Sequence, residues 1–178
     1  MNNKELLFDK IKSPVFIKTD RLTITDITDA DKDLYAKIYL DDDLNKWWGY
    51  DYREDLKGEN PTPDYFFNFQ RKLKEIKEEY LFIVRLNDIM IGELVLHNFG
   101  DDNSAEIGFR FFPEHQGKGY AKESALSLIE YAKTTLGATK IKSRCFKENL
   151  PSKRLILSLG LTQVREDNTH YYFEKIFD

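Results

Sequence analysis

Between Ser104 and Gly137 the chain carries residue types that can bind an anion and move a proton. Gln116, Gly117, Lys118, Gly119, Tyr120 and Ala121 follow an aromatic segment that ends at Phe111, Phe112 and Pro113. Behind them Ala121, Ala125, Leu128, Ile129, Ala132 and Leu136 recur at three- and four-residue spacing. Residues 104–112 read as a strand, because Pro113 cannot continue a ladder, and the later run reads as a helix of about five turns that stops at Gly137. A helix that begins this way presents unpaired N–H groups and the positive end of its dipole. Two glycines let a ligand approach those amides, and Lys118 adds charge, so a phosphate or pyrophosphate is expected. Three or four charge-assisted hydrogen bonds would supply roughly 5–12 kcal/mol before entropic costs, against about 8 kcal/mol for micromolar affinity. The same residues would also serve as a plain strand-to-helix turn.

Spacing separates the possible phosphate motifs. A P-loop needs Ser or Thr after Gly-Lys and a Gly four residues earlier, whereas Gly117-Lys118 is followed by Gly119. A dinucleotide fingerprint needs a third glycine where Lys122 stands. What fits is Gln116-x-x-Gly119-x-Ala121 after Ala105-Glu106-Ile107-Gly108, which resembles the acetyl-CoA-binding motif of the GNAT superfamily of N-acetyltransferases. Two further blocks carry the resemblance. The segment from Asn149 through Ser152 to Leu159-Gly160-Leu161 is similar to that family's Asn-x-x-Ser helix, and Thr19-Asp20-Arg21-Leu22 resembles the opening of its ribosomal-protein Nα-acetyltransferase branch.

The resemblance implies a set of roles. Acetyl-CoA would lie with its pyrophosphate on residues 116–121 and its pantetheine arm along the strand ending at Phe111 and Phe112, with Asn149 bonding that arm or orienting the acetyl group. Glu106 matches the glutamate used as general base, directly or through water. A lysine-type amine is neutral about once in several thousand molecules at pH 7, and an α-amine about once in seven, so the base matters more for the first. The usual tyrosine that protonates coenzyme A is replaced by Ile156, which leaves Ser152 as the nearest matched hydroxyl. Trp47, Trp48 and Tyr50, beside Asp41, Asp42 and Asp43, would wall the acceptor pocket or else cover an edge of the core. His97 ends a strand near the same cleft. For each of these residues a structural role stands beside the chemical one: an ion pair for Glu106, a helix cap for Asn149 and Ser152.

The elements that must hold these residues are legible in outline. The order expected is β, α, α, β, β, β, α, β, α, β, β. It gives an α/β (α+β) fold: a mixed, mostly antiparallel sheet of about six or seven strands, with a central splayed parallel pair and helices on both faces. Thr28 to Asp31 forms a capping box, Asn87-Asp88 a hairpin turn, and residues 1–178 one domain. A net charge of −4 offers no electrostatic footprint for nucleic acid, no apolar run is long enough for a membrane, and the single Cys145 suits a reducing cytoplasm. His115 and His170 lack metal-site spacing. The functional expectation is acetyl transfer from acetyl-CoA directly to a primary amine, either a protein N-terminus or a small molecule. The alternatives are a non-catalytic acyl-CoA-binding module and a nucleotide-binding protein.

Overall fold

The computed structural model describes residues 7–178, so the first half of the short N-terminal helix or arm expected at 4–11 lies outside the described residues. Within them, eight strands form one sheet in the order β1-β2-β3-β4-β5-β6-β8-β7. They are β1 (Phe16–Lys18), β2 (Thr23–Thr25), β3 (Glu79–Leu86), β4 (Ile89–His97), β5 (Ser104–Phe111), β6 (Lys140–Phe146), β7 (Thr162–Glu166) and β8 (His170–Ile176). The strand count exceeds the expected six or seven because β1, only three residues long, was too short for an alternation to reveal it. All neighbours pair antiparallel except β5 and β6, which run parallel. The Asn87-Asp88 turn has φ of 50° and 65°, the left-handed pair that matches strand twist in a two-residue hairpin.

Besides the helical residues 7–9, six α-helices cover the sheet among the described residues: α1 (Lys32–Leu40), α2 (Asp42–Asn45), α3 (Tyr52–Leu56), α4 (Pro63–Glu75), α5 (Tyr120–Tyr131) and α6 (Leu150–Ser158). A single 3-10 turn at Asp29–Asp31 leads into α1. There the Asp31 carboxylate accepts from the Thr28 amide at 2.8 Å, which satisfies the capping-box expectation, and also receives both Nη groups of Arg85 at 2.7 Å. The strand β3 is buried on both faces, so its residues divide between two cores. Tyr80, Phe82 and Val84 join Ala125, Leu128 and Ile129 of α5 on one side. Leu81 and Ile83 join Tyr35, Ile38 and Tyr39 of α1 and Phe66 of α4 on the other. The long helix keeps its expected length by changing type: after Tyr131 it continues as a π turn, Ala132–Leu136, and Gly137 ends it at φ 70°.

Candidate active site

The parallel ladder between β5 and β6 runs only from Ser104 and Lys140 to Glu106 and Lys142. Past that rung the strands part. The Ser143 hydroxyl still reaches the Ile107 carbonyl at 3.0 Å, while β5 continues to Phe111 held by β4 alone. The β6-facing backbone of residues 108–110 is thereby left without a strand partner, open to an extended ligand. At the end of β5 the groups are used internally: Phe112 N–H donates to Ile91 C=O at 3.1 Å, and Gln116 Nε2 donates to Phe111 C=O at 2.9 Å. Gln116 thus shapes the turn rather than pointing into it.

Behind Gln116 the chain turns through Gly117 at φ 71° and Gly119 at φ 83°, and α5 begins at Tyr120. A side chain at Gly117 would meet nothing within 4 Å, so the space beside the turn is open at that position. A methyl group at Gly119 would lie 3.3 Å from Arg21 Nη2. Arg21 is one of the residues that sequence reasoning left without a role. Its Nη1 donates to Lys118 C=O at 3.1 Å and its guanidinium lies 4.7 Å from the Tyr120 ring centroid. Glu123, one turn into α5, locks this arrangement. It accepts from Thr19 Oγ1 at 2.6 Å, from the Arg21 amide at 3.0 Å and from Arg21 Nε at 2.7 Å.

Partial burial pushes the Glu123 carboxyl up, but the bonds from Thr19 and Arg21 outweigh it and hold the group below its ordinary value. A carboxyl depressed in the folded state contributes stability above its unfolded pKa and loses that contribution as the pH falls through the folded one. Arg21 is half-exposed and solvent screens it, so the clamp is worth about 1–2 kcal/mol. Glu123→Ala is expected to cost that amount in chemical denaturation at pH 7, and the difference from the parent should shrink as the pH falls below about 4, because the unfolded parent then binds a proton at Glu123 that the folded clamp resists. A constant difference down to pH 3 would mean that the ionised clamp is not its source.

Glu106 sits on the last rung before the strands part, and its surroundings are polar and crowded. Its Oε1 lies 3.2 Å from Arg144 Nε and 3.9 Å from His97 Nε2, and its Oε2 accepts from Asn98 Nδ2 at 3.0 Å. The ion pair expected as the structural alternative is therefore present, and Arg144 is a second residue that sequence reasoning missed. Burial lowers the His97 pKa, Glu106 opposes and Arg144 adds to the fall, so the ring is neutral at pH 7. His97 and Glu106 are cross-strand partners and face the helices α1 and α4.

The same face receives the loop that carries Trp47, Trp48 and Tyr50. Trp48 packs 3.4 Å from where a Cβ on Gly108 would stand, and Trp47 lies 5.5 Å from Phe146 at the end of β6. The two tryptophans therefore straddle the gap between β5 and β6. Tyr50 points elsewhere: it stacks on Phe69 at 4.7 Å and its hydroxyl bonds Asp55 at 2.7 Å and Tyr65 at 2.9 Å, so it ties α3 to α4. On the opposite face Asn149 caps α6, its Oδ1 accepting from Ser152 N–H at 3.2 Å. Ile156 is wholly buried in the core. Burial pushes the Cys145 thiol up, which suits a core residue and not a nucleophile. Among the described residues no group of His, Cys, Asp and Glu is placed to hold a metal ion, and no helix is long and apolar enough to cross a membrane.

Comparison with known proteins agrees with this geometry. Residues 21–162 match the model of the acetyltransferase (GNAT) domain family. The uncharacterized N-acetyltransferase YnaD of Bacillus subtilis is 34% identical over 84 residues, a match that spans 47% of this chain and only 49% of that one. Its relative YoaA, from the same organism, is 26% identical over 145 residues and 81% of each chain. A crystal structure of a GNAT-family acetyltransferase from Bacillus anthracis superposes with a TM-score of 0.73 at 26% identity, covering 91% of this chain and 98% of that one. With a family model matched across most of its length and the parted parallel strands in place, the chain belongs to the GNAT acetyltransferase family.

Proposed function

We propose that this acetyltransferase moves an acetyl group from acetyl-CoA directly to a primary amine. The observation that carries the reading is the parting of β5 and β6 immediately after Glu106, which leads along unpaired backbone to the open Gly117–Gly119 turn at the head of α5. The residues fit the cofactor. The amides of the turn and Lys118 would hold a pyrophosphate, and the backbone of residues 108–110 would hold the pantetheine arm. Bound there, acetyl-CoA supplies the activated acetyl thioester.

The chain's own residues supply position and proton transfer. Trp47 and Trp48 border the acceptor's approach and exclude water from the gap. Glu106, paired with Arg144, takes the proton from the incoming ammonium, directly or through a water, and neutral His97 at 3.9 Å offers the next acceptor. Ser152, at the capped N-terminus of α6, is the nearest hydroxyl matched by the family motif and would donate toward the leaving sulfur, aided by that helix end. The names of the Bacillus relatives, all N-acetyltransferases, support an amine acceptor.

Calorimetric titration with acetyl-CoA, with ATP and NAD as controls, tests the cofactor, and thiol release with a panel of N-terminal peptides, lysine derivatives and small amines tests the transfer. Selective micromolar binding with amine-dependent thiol release is expected. Selective binding with no release on any amine would favour the non-catalytic acyl-CoA-binding reading, and no binding by a folded sample would sink the cofactor assignment.

A further inference from the structure

The acceptor loop is anchored from inside the sheet. Arg110, on β5 two residues beyond Gly108, is 4% exposed, and Glu93, its partner on β4, is fully buried. Arg110 Nε donates to Glu93 Oε1 at 2.7 Å. The guanidinium lies 4.3 Å from the Tyr39 ring centroid and 4.3 Å from that of Trp48, so it touches both a helix-α1 ring and a loop ring. Its Nη1 donates to Asn45 Oδ1, and the Asn45 amide in turn donates to the carbonyls of Ile38 and Tyr39 at the end of α1. Burial opposes the charge, but Glu93 outweighs it and Arg110 stays a cation.

A buried ion pair is a weak source of stability, since well-packed apolar residues can replace it at little cost. What such a pair can give is a fixed arrangement. Here the planar fork meets a carboxylate, an amide oxygen and two aromatic faces together, a combination that lysine cannot reproduce. Three of those partners belong to α1, α2 and the loop behind them, and Trp48 rests over Gly108, where β5 leaves β6.

We propose that Arg110 is the positioning residue for the acceptor site: held by Glu93, it fixes Asn45 and Trp48 and so sets the wall against which the acceptor amine binds. The proposal rests on the acetyl-transfer reading for its substrate, but the mechanical part stands by itself. Trypsin can cut after Lys46, at the start of the loop, and after Arg53, in the short helix α3 that follows it, which gives a readout free of catalysis.

The test uses the double variant Glu93→Met with Arg110→Met, which removes the pair without orphaning a charge, together with Arg110→Lys. The panel amine turned over fastest by the parent serves as acceptor. The double variant is expected to raise the acceptor KM at least about tenfold and to leave the acetyl-CoA Kd within about twofold, with cleavage after Lys46 and Arg53 at least about tenfold faster. Arg110→Lys should resemble the double variant more than the parent. Should the double variant fail to fold, Arg110→Lys alone carries the test: it keeps the Asn45 bonds to the Ile38 and Tyr39 carbonyls and is expected to accelerate the same two cuts. Parent-like KM and cleavage in the variants would overturn the proposal, as would cleavage accelerated equally at sites throughout the chain, which signals general loosening. If the parent acetylates no amine at all, the functional reading fails, and the cleavage pattern alone decides whether Arg110 anchors the loop.

Discussion

Replacing Gly119 with valine is expected to weaken acetyl-CoA binding by at least about 100-fold in a protein that still folds, a loss of about 2.7 kcal/mol. Two effects act together. At φ 83° a β-branched residue is strained by about 1–3 kcal/mol, and its Cβ would crowd Arg21 Nη2, which stands 3.3 Å from the Cβ position. The γ-methyl groups would then cover the amides that open α5. The clamp of Thr19, Arg21 and Glu123 prevents the turn from simply moving aside, because it ties the loop to the edge of the sheet. Gly117→Ala provides the contrast, since its Cβ meets nothing within 4 Å and only the backbone strain of about 1 kcal/mol remains. Calorimetry on both variants, with circular dichroism to establish folding, separates the contributions. Undiminished binding by a folded Gly119→Val protein would remove the pyrophosphate from this turn.

How the turn was legible, and its clamp was not, follows from the distances involved along the chain. Gln116, Gly117, Lys118, Gly119 and Ala121 lie in one short segment, so strand, glycine pair and apolar helix period announce the site locally. Glu123 and Arg21 are separated by 102 positions, and no local pattern couples them; the Thr19-Asp20-Arg21-Leu22 block marked its own importance without its partner. Arg144 reaches Glu106 from two residues beyond the last parallel rung, whose register cannot be read from either strand alone. Arg110 could have been suspected, as a charge set among Phe109, Phe111 and Phe112 in a strand where polar residues need a reason. The pair Trp47 and Trp48 was visible as an aromatic cluster, and Tyr50 looked equivalent to them, yet the stacking on Phe69 turns it toward α4. Fold outline came from period and punctuation. Side-chain partnership across the sheet came only with the register.

Changing Glu106 to glutamine is expected to lower kcat/KM for a lysine-type acceptor by about 10²–10⁴ at pH 7 while leaving the acetyl-CoA Kd within about twofold. The substitution keeps the shape, its single oxygen can still accept from Arg144, and the Asn98 amide can flip so that its oxygen accepts from the new Nε2 group, so the wall and the turn should hold. What disappears is the group that takes the proton. The deficit should therefore narrow as the pH climbs toward the amine's own pKa near 10.4, because the acceptor then arrives neutral without help. For an α-amine, with a pKa near 7.8, the same narrowing should be complete about two and a half units lower. This pair of profiles distinguishes a base from a residue that merely holds Arg144 in place, since lost positioning would reduce the rate equally at every pH. Other titrating groups face the site and must be read alongside it: neutral His97 and Arg144 contact Glu106, Lys142 is its cross-strand partner, and Glu79, pushed up to about 7 by burial and by Glu93, pairs with His97 from β3. A Glu79 contribution would persist in the Glu106→Gln profile as an inflection near pH 7, whereas the narrowing toward high pH belongs to Glu106. Turnover at pH 7 equal to the parent's would exclude Glu106 as the base and leave it as the carboxylate that pins Arg144 beside the gap.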